Sequence, residues 1–120
     1  MAKILAVDDS ASMRGMVAFT LRGAGHEVTE AENGQQALDI ARGSSFELVL
    51  ADVNMPVMDG IAMVRELRTF DAYKGVPILM LTTESHTERK MEGKAAGATG
   101  WLVKPFDPEQ LLATVKRVLG

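Results

Sequence analysis

Acidic, hydroxyl and ammonium side chains stand at the ends of short apolar runs in this chain. Ile4 to Val7 runs into Asp8 and Asp9, and Phe46 to Ala51 runs into Asp52. Pro77 to Leu81 runs into Thr82 and Thr83, and Gly100 to Val103 into Lys104. The first three runs suit buried strands, and Gly100 to Val103 reads as the last strand. Pro56 has no N–H to give to a ladder, so the strand ending at Asp52 opens into a loop. A lone aspartate there would read as a turn residue or a helix cap. The other strand ends argue against that. If the strands are parallel, Asp8, Asp9, Asp52, Thr82 and Lys104 share one sheet edge. Carboxylates crowded in one crevice repel unless a cation joins them. Oxygen ligands without His or Cys suit a hard ion such as Mg²⁺, which bridges protein carboxylates to phosphate oxygens. Lys104 adds a fixed positive charge and Thr82 a hydroxyl donor. Metal, ammonium and hydroxyl together would cradle a phosphoryl group. Asp52, on the middle strand between the acidic pair and Lys104, is the candidate nucleophile, forming an aspartyl phosphate.

Helices must join these strands. Ser10 or Ser12 caps the first, and Met13, Met16, Val17, Phe19, Thr20 and Leu21 give it a wide apolar stripe. Gly23 and Gly25 end it. Glu27 to Ala31 alternates polar with small or apolar residues and predicts a short outer strand. Asn33-Gly34 reads as a turn before a helix over Gln35 to Arg42, with Ala37, Leu38 and Ala41 inward. Asp59 or Gly60 starts a third helix carrying Ile61, Met63, Val64 and Leu67. Asp71 to Val76 reads as a polar loop. His86 to Gly97 is helical by period but holds Gly93 and Gly97. An interior glycine costs about 1 kcal/mol against alanine, which makes this the least stable helix expected. Asp107 caps the last helix, with Pro108 at its start and Gln110 completing a capping box. Its buried face is Leu111, Leu112, Val115, Val118 and Leu119. Strands alternating with helices predict an α/β domain, with a five-stranded parallel sheet, right-handed crossovers and helices on both faces.

The 120 residues, 47% hydrophobic and 24% charged, fit one globular domain. The net charge is −3 with both signs interspersed, and the lack of a basic stripe argues against nucleic-acid binding. There is no cysteine, which excludes disulfides and thiol chemistry and fits a cytoplasmic setting. No apolar run approaches the roughly 20 residues of a membrane span. The start of the chain lacks a signal peptide's apolar core. His26 and His86 read as surface residues, and Met55, Met58 and Met63 as packing rather than an exposed sulfur patch.

VDDS, DVNMPVMDG, LTT and VKPF follow one another at these strand ends. They resemble the motifs of response-regulator receiver domains, in particular the single-domain chemotaxis type typified by CheY, and the resemblance covers essentially the whole chain. It implies a flavodoxin-like, doubly wound (βα)5 fold with strand order 2-1-3-4-5, an order that comes with the family rather than from this sequence. It implies that Asp52 is the phosphoacceptor. Asp9 would ligate Mg²⁺ together with Asp52 and the carbonyl of Asn54, and Asp8 would help directly or through water. Thr82 and Lys104 would each bond a phosphoryl oxygen, and Pro105 would follow a cis peptide. Trp101 falls at the aromatic switch position, which turns inward when Thr82 moves toward the phosphate. Asn54 and Glu84 fall at positions that tune phosphoryl lifetime. Two residues depart from the pattern. Thr83 stands where the family usually has Ala, Gly or Ser and would narrow access to the phosphoryl site. Trp101 replaces the commoner Tyr or Phe, and its bulk opposes full inward rotation.

The expected function is a phosphorylation-dependent signalling switch that catalyses only its own phosphorylation and dephosphorylation. A histidine kinase would be the donor, and the fourth helix, fifth strand and fifth helix would change surface to bind a target such as a flagellar motor switch protein. A phosphatase is a further expected partner; nucleic acid and membrane are not. The chain stops after the fifth helix, so residues 1–120 are expected to be one receiver domain without an output domain. One alternative keeps the chemistry but makes the domain a phosphate sink or phosphorelay shuttle. Another class is a small Mg²⁺-dependent phosphatase using the same aspartyl intermediate. Against it, Asn54 stands where such an enzyme needs a general acid, and no cap insertion is present.

Overall fold

The structure, a computed structural model, describes residues 2–53, 55, 58–82, 87–104 and 106–120, the side chains of 87–89 excepted. Expectations placed on Asn54, Pro56, Thr83, Glu84, His86 and Pro105 lie outside the described residues.

Strands and helices alternate along the chain: β1 (Lys3–Val7), α1 (Ala11–Gly23), β2 (Glu27–Ala31), α2 (Gly34–Arg42), β3 (Leu48–Asp52) and α3 (Gly60–Leu67). A 3₁₀ turn (Asp71–Tyr73) precedes β4 (Ile78–Thr82), α4 (Thr87–Ala96), β5 (Gly100–Val103) and α5 (Pro108–Leu119). The five strands are parallel in the order β2-β1-β3-β4-β5. The expected strand order and the outer position of β2 are therefore both present.

Successive residues of a strand point to opposite faces. Leu5, Val7, Val49, Ala51, Ile78 and Met80 pack in one layer with α2, α3 and Ala96 of α4. Ile4, Ala6, Leu48, Leu50, Leu79 and Leu81 pack in the other with α1 and α5. Both faces of β1, β3 and β4 are covered, so these strands read as continuous apolar runs, whereas the outer strand β2 alternates.

Side-chain caps set the helix starts. Ser10, not Ser12, caps α1 by accepting from the N–H of Met13. Asn33 accepts from the N–H of Gln36, so the expected turn at Asn33-Gly34 is the cap of α2. Asp59 accepts from the N–H of Ala62 and caps α3. The Asp107–Gln110 capping box starts α5.

Four expectations are corrected by packing. Phe19 is 80% exposed, because the face of α1 that packs on the sheet carries Val17, Ala18 and Leu21, with Met13 and Met16 at its margin, and Phe19 lies off it. The 71–76 segment is not simply polar: Tyr73 is buried, and its phenol donates to the carbonyls of Ala41 (2.8 Å) and Ser44 (2.6 Å). Burial pushes the pKa of that phenol up, so it remains a donor. Gly97 lies past the end of α4 at φ 113°, the left-handed region that glycine enters without penalty. On α5, Leu111 and Val115 are buried with Thr114, whereas Leu112, Val118 and Leu119 are half-buried. Met55 and Met63 are buried, which fits packing. His26 is half-buried, and its Nδ1 accepts from the N–H of Ala2 at 3.0 Å. No helix among the described residues is long and apolar enough to cross a membrane.

Candidate functional site

The direction in which successive strands are added across the sheet reverses between β1 and β3, since β2 lies outside β1 while β4 and β5 lie beyond β3. Ligand crevices of open α/β sheets form at such a switch point, at the carboxyl ends of the strands. Register then decides which side chains meet. Val7 pairs with Ala51, so the next residues, Asp8 and Asp52, come side by side. Asp52 pairs with Leu81, which puts Thr82 one step beyond it. Thr82 pairs with Val103, and Lys104 follows. Backbone bonds prolong this order past the strands: the N–H of Asp8 donates to Ala31, that of Val53 to Leu81 and that of Lys104 to Thr82.

The carboxylates of Asp8, Asp9 and Asp52 each offer an oxygen within 4.8 Å of the others. Asp8 and Asp52 are buried, at 2% and 7% exposure, while Asp9 faces solvent. The Lys104 ammonium donates to Asp8 Oδ2 at 3.2 Å and lies 3.5 Å from Asp52 Oδ1. A buried carboxylate is expensive unless paired, and Lys104 pairs two at once. Thr82 is 1% exposed at the end of β4, on the same edge. Three carboxylates without nitrogen or sulfur donors form a hard-cation donor set, so the residues present fit Mg²⁺. Together they offer anionic oxygens for a metal, a fixed cation, a hydroxyl and a carboxylate nucleophile at one sheet edge.

Trp101 is not part of this cluster. It sits on β5 opposite Met80, half-buried, and packs on the layer beneath α2, α3 and α4. Asn54, Thr83 and Glu84 lie outside the described residues, so their expected roles are not placed.

Three supports were not legible in the sequence. Arg14 Nη1 donates to the backbone carbonyl of Asp8 at 2.7 Å, while its Nε reaches Glu30 at 3.3 Å. The N–H of Ser10 donates to Asp8 Oδ1 at 2.9 Å, so the same loop orients this carboxylate and caps α1. Gly60 presses its backbone against the carbonyl of Asp52. The Asp59-Gly60 pair at the start of α3 is a signal for a tight approach there, but nothing in the sequence links Arg14 to Asp8.

The family described as the response regulator receiver domain matches residues 4–116. The chain is 38% identical over 120 residues to a chemotaxis protein CheY homolog of Campylobacter jejuni, covering 98% of this chain and 92% of that protein. It is 40% identical over 116 residues to the phosphate regulon transcriptional regulatory protein PhoB of Pseudomonas aeruginosa, covering 97% of this chain. There the chain spans only 51% of the relative's length. The solved structure of the Vibrio cholerae chemotaxis protein CheY4 superposes with a TM-score of 0.96 at 58% identity, over 98% of both chains.

Proposed function

The chain belongs to the response regulator receiver domain family, and on that premise we propose that it is a phosphorylation-activated signalling switch with Asp52 as its phosphoacceptor. One observation carries the proposal: the Lys104 ammonium lies between Asp8 and Asp52, with Asp9 in the same cluster, at the switch point of the sheet. An Asp52 carboxylate oxygen attacks phosphorus, and the bond to the donor, a kinase phosphohistidine, breaks as the new P–O bond forms. Lys104 offsets the charge on the phosphoryl oxygens, and the Thr82 hydroxyl donates to one of them. Asp8, Asp9 and Asp52, with the Asn54 carbonyl, would hold Mg²⁺, which supplies further charge neutralisation to the phosphoryl group. Asn54, Thr83 and Glu84 would tune how quickly water removes it.

Residues 1–120 would act as one receiver unit that turns over only its own phosphoryl group. The proposed output is docking of a protein on the surface of α4, β5 and α5. Met91 (66%) and Val103 (39%) are exposed there, beside a groove of about 350 Å³ flanked by Lys90 and Lys94. The similarity to chemotaxis proteins favours a role in chemotaxis; the target we propose is a flagellar motor switch protein, and the proposed setting is the cytoplasm.

Incubation with acetyl phosphate and Mg²⁺ should add one phosphoryl mass to the wild type and none to Asp52→Asn, read by intact-mass spectrometry. A wild type that gains nothing, or a variant that gains as much, overturns the assignment.

Lys104→Met should destabilise the metal-free protein, because it leaves Asp8 and Asp52 buried without this ammonium. Breaking such a pair by removing one partner costs roughly 2–4 kcal/mol at a partly hydrated site. Mg²⁺ binds the folded cluster preferentially and should recover much of the loss. Thermal unfolding with and without Mg²⁺ is the measurement, and an unchanged metal-free Tm would count against Lys104 as the countercharge.

A further inference from the structure

Gly93 lies on the buried side of α4, facing Trp101 on β5. A Cβ at position 93 would overlap the indole Cζ2 and come within 2.6 Å of Cη2. Carbon atoms in contact normally sit about 3.5–4.0 Å apart. The indole therefore fills the room that a side chain at 93 would take. Register brings the two together: Trp101 pairs with Met80, whose side chain belongs to the layer under α4. The rest of the ring borders the groove formed with Lys90, Met91, Lys94, Ala98 and Thr99.

We propose that Gly93 is the positioning residue of Trp101: the notch it leaves in α4 sets where the indole rests and ties that position to the position of the helix. Cζ2 and Cη2 belong to the second ring of the indole, which phenylalanine lacks. The notch is thus matched to tryptophan at this position. Sliding or rolling α4 takes the notch off the ring and turns Cβ-bearing residues such as Lys90 and Lys94 toward it. Helix and indole must move together. This link to switching rests on the phosphorylation reading above; the packing match itself does not.

The test uses wild type, Gly93→Ala, Trp101→Phe and the double variant. Helix propensity alone makes alanine better than glycine at position 93. Gly93→Ala should instead lower Tm by about 5 °C or more, as overpacking does. In the Trp101→Phe background the same change should leave Tm equal or higher. If Gly93→Ala does not fold, folding of the double variant supports the proposal and its failure overturns it. Equal Tm changes in both backgrounds also overturn it. Trp101 is the only tryptophan, so its emission reports the seat directly. Emission should shift to the red in unphosphorylated Gly93→Ala, and an unshifted spectrum overturns the proposal. Loading with acetyl phosphate and Mg²⁺ should change wild-type emission and change that of Gly93→Ala by less than half as much. Equal changes, or none in a wild type that has gained phosphoryl mass, overturn the coupling. Absence of that mass gain overturns the phosphoacceptor reading and leaves the unphosphorylated comparisons intact.

Discussion

Gly60→Ala is expected to slow phosphoryl loading of Asp52 at least about tenfold and to cost about 3 kcal/mol of stability, although Gly60 bears no functional group. A Cβ here would overlap the carbonyl oxygen of Asp52, with the carbonyl carbon at 2.9 Å and Met80 Cε at 2.8 Å. The Met80 side chain can rotate away. The Asp52 backbone cannot, because it is the last residue of β3 and is paired with Leu81. The N–H of Gly60 also donates to the carbonyl of Val53 at 2.8 Å, closing the loop that leaves the site. Relief requires moving either the start of α3 or Asp52, the proposed phosphoacceptor. Misplacing a reacting group by 1 Å can cost about a hundredfold in rate. The glycine is required for space and not for its backbone angles, so no residue with a side chain should substitute. Thermal unfolding and a time course of mass gain with acetyl phosphate measure both effects. Wild-type Tm and loading in Gly60→Ala would mean that the loop relaxes freely.

The second large effect is expected far from the acidic cluster. Arg68, just past α3, donates through Nη1 to the carbonyls of Tyr73 (2.6 Å) and Val76 (2.7 Å). Its Nε and Nη2 both donate to the carbonyl of Gly97, at 3.0 and 2.7 Å. One guanidinium therefore fastens the α3–β4 connection to the end of α4. Burial lowers its pKa from the ordinary arginine value. The packing is tight on both sides, since a Cβ on Gly97 would lie 2.9 Å from Arg68 Cγ. Arg68→Met keeps most of the stem and removes every donor. Carbonyls of Tyr73, Val76 and Gly97 then lose a partner, at about 1–3 kcal/mol for each that water cannot reach. The site is half-buried, so the total should be about 3 kcal/mol. Arg68→Lys should lose most of the same stability, because an ammonium cannot reproduce the planar fork. Denaturant unfolding of the two variants checks this. A lysine variant as stable as wild type would show that charge, and not geometry, holds the connection.

Much of the fold could be read along the chain, for a local reason. Burial on both faces makes a strand an uninterrupted apolar run, and its end shows as the first polar residue. Asp8, Asp52 and Thr82 were legible in this way, and Lys104 by the apolar run of the half-buried edge strand β5; once the strands are taken as parallel they share an edge. Caps were legible for the same reason: Asp59 and Asp107 bond to N–H groups three residues on. Phe19 was misread because apolar character says that a side chain can be buried, while the width of the helix–sheet contact decides whether it is.

Chain order alone does not rank contacts between distant segments. Lys104 and Asp8 stand 96 residues apart, and Arg68 and Gly97 29 apart. Their pairing depends on strand order, register and helix placement together. Gly93 makes the difference plain. As sequence it is a weak point in a helix, since glycine loses more backbone freedom on folding than any other residue. In the packed molecule it is the only residue type small enough to face Trp101. The sequence by itself determined which side chains are candidates for the chemistry and which sheet edge carries them. The tertiary structure alone decided how the elements around them are fastened, because packing at Gly60, Gly93 and Arg68 depends on atoms that meet only when separate elements close to within a few ångströms.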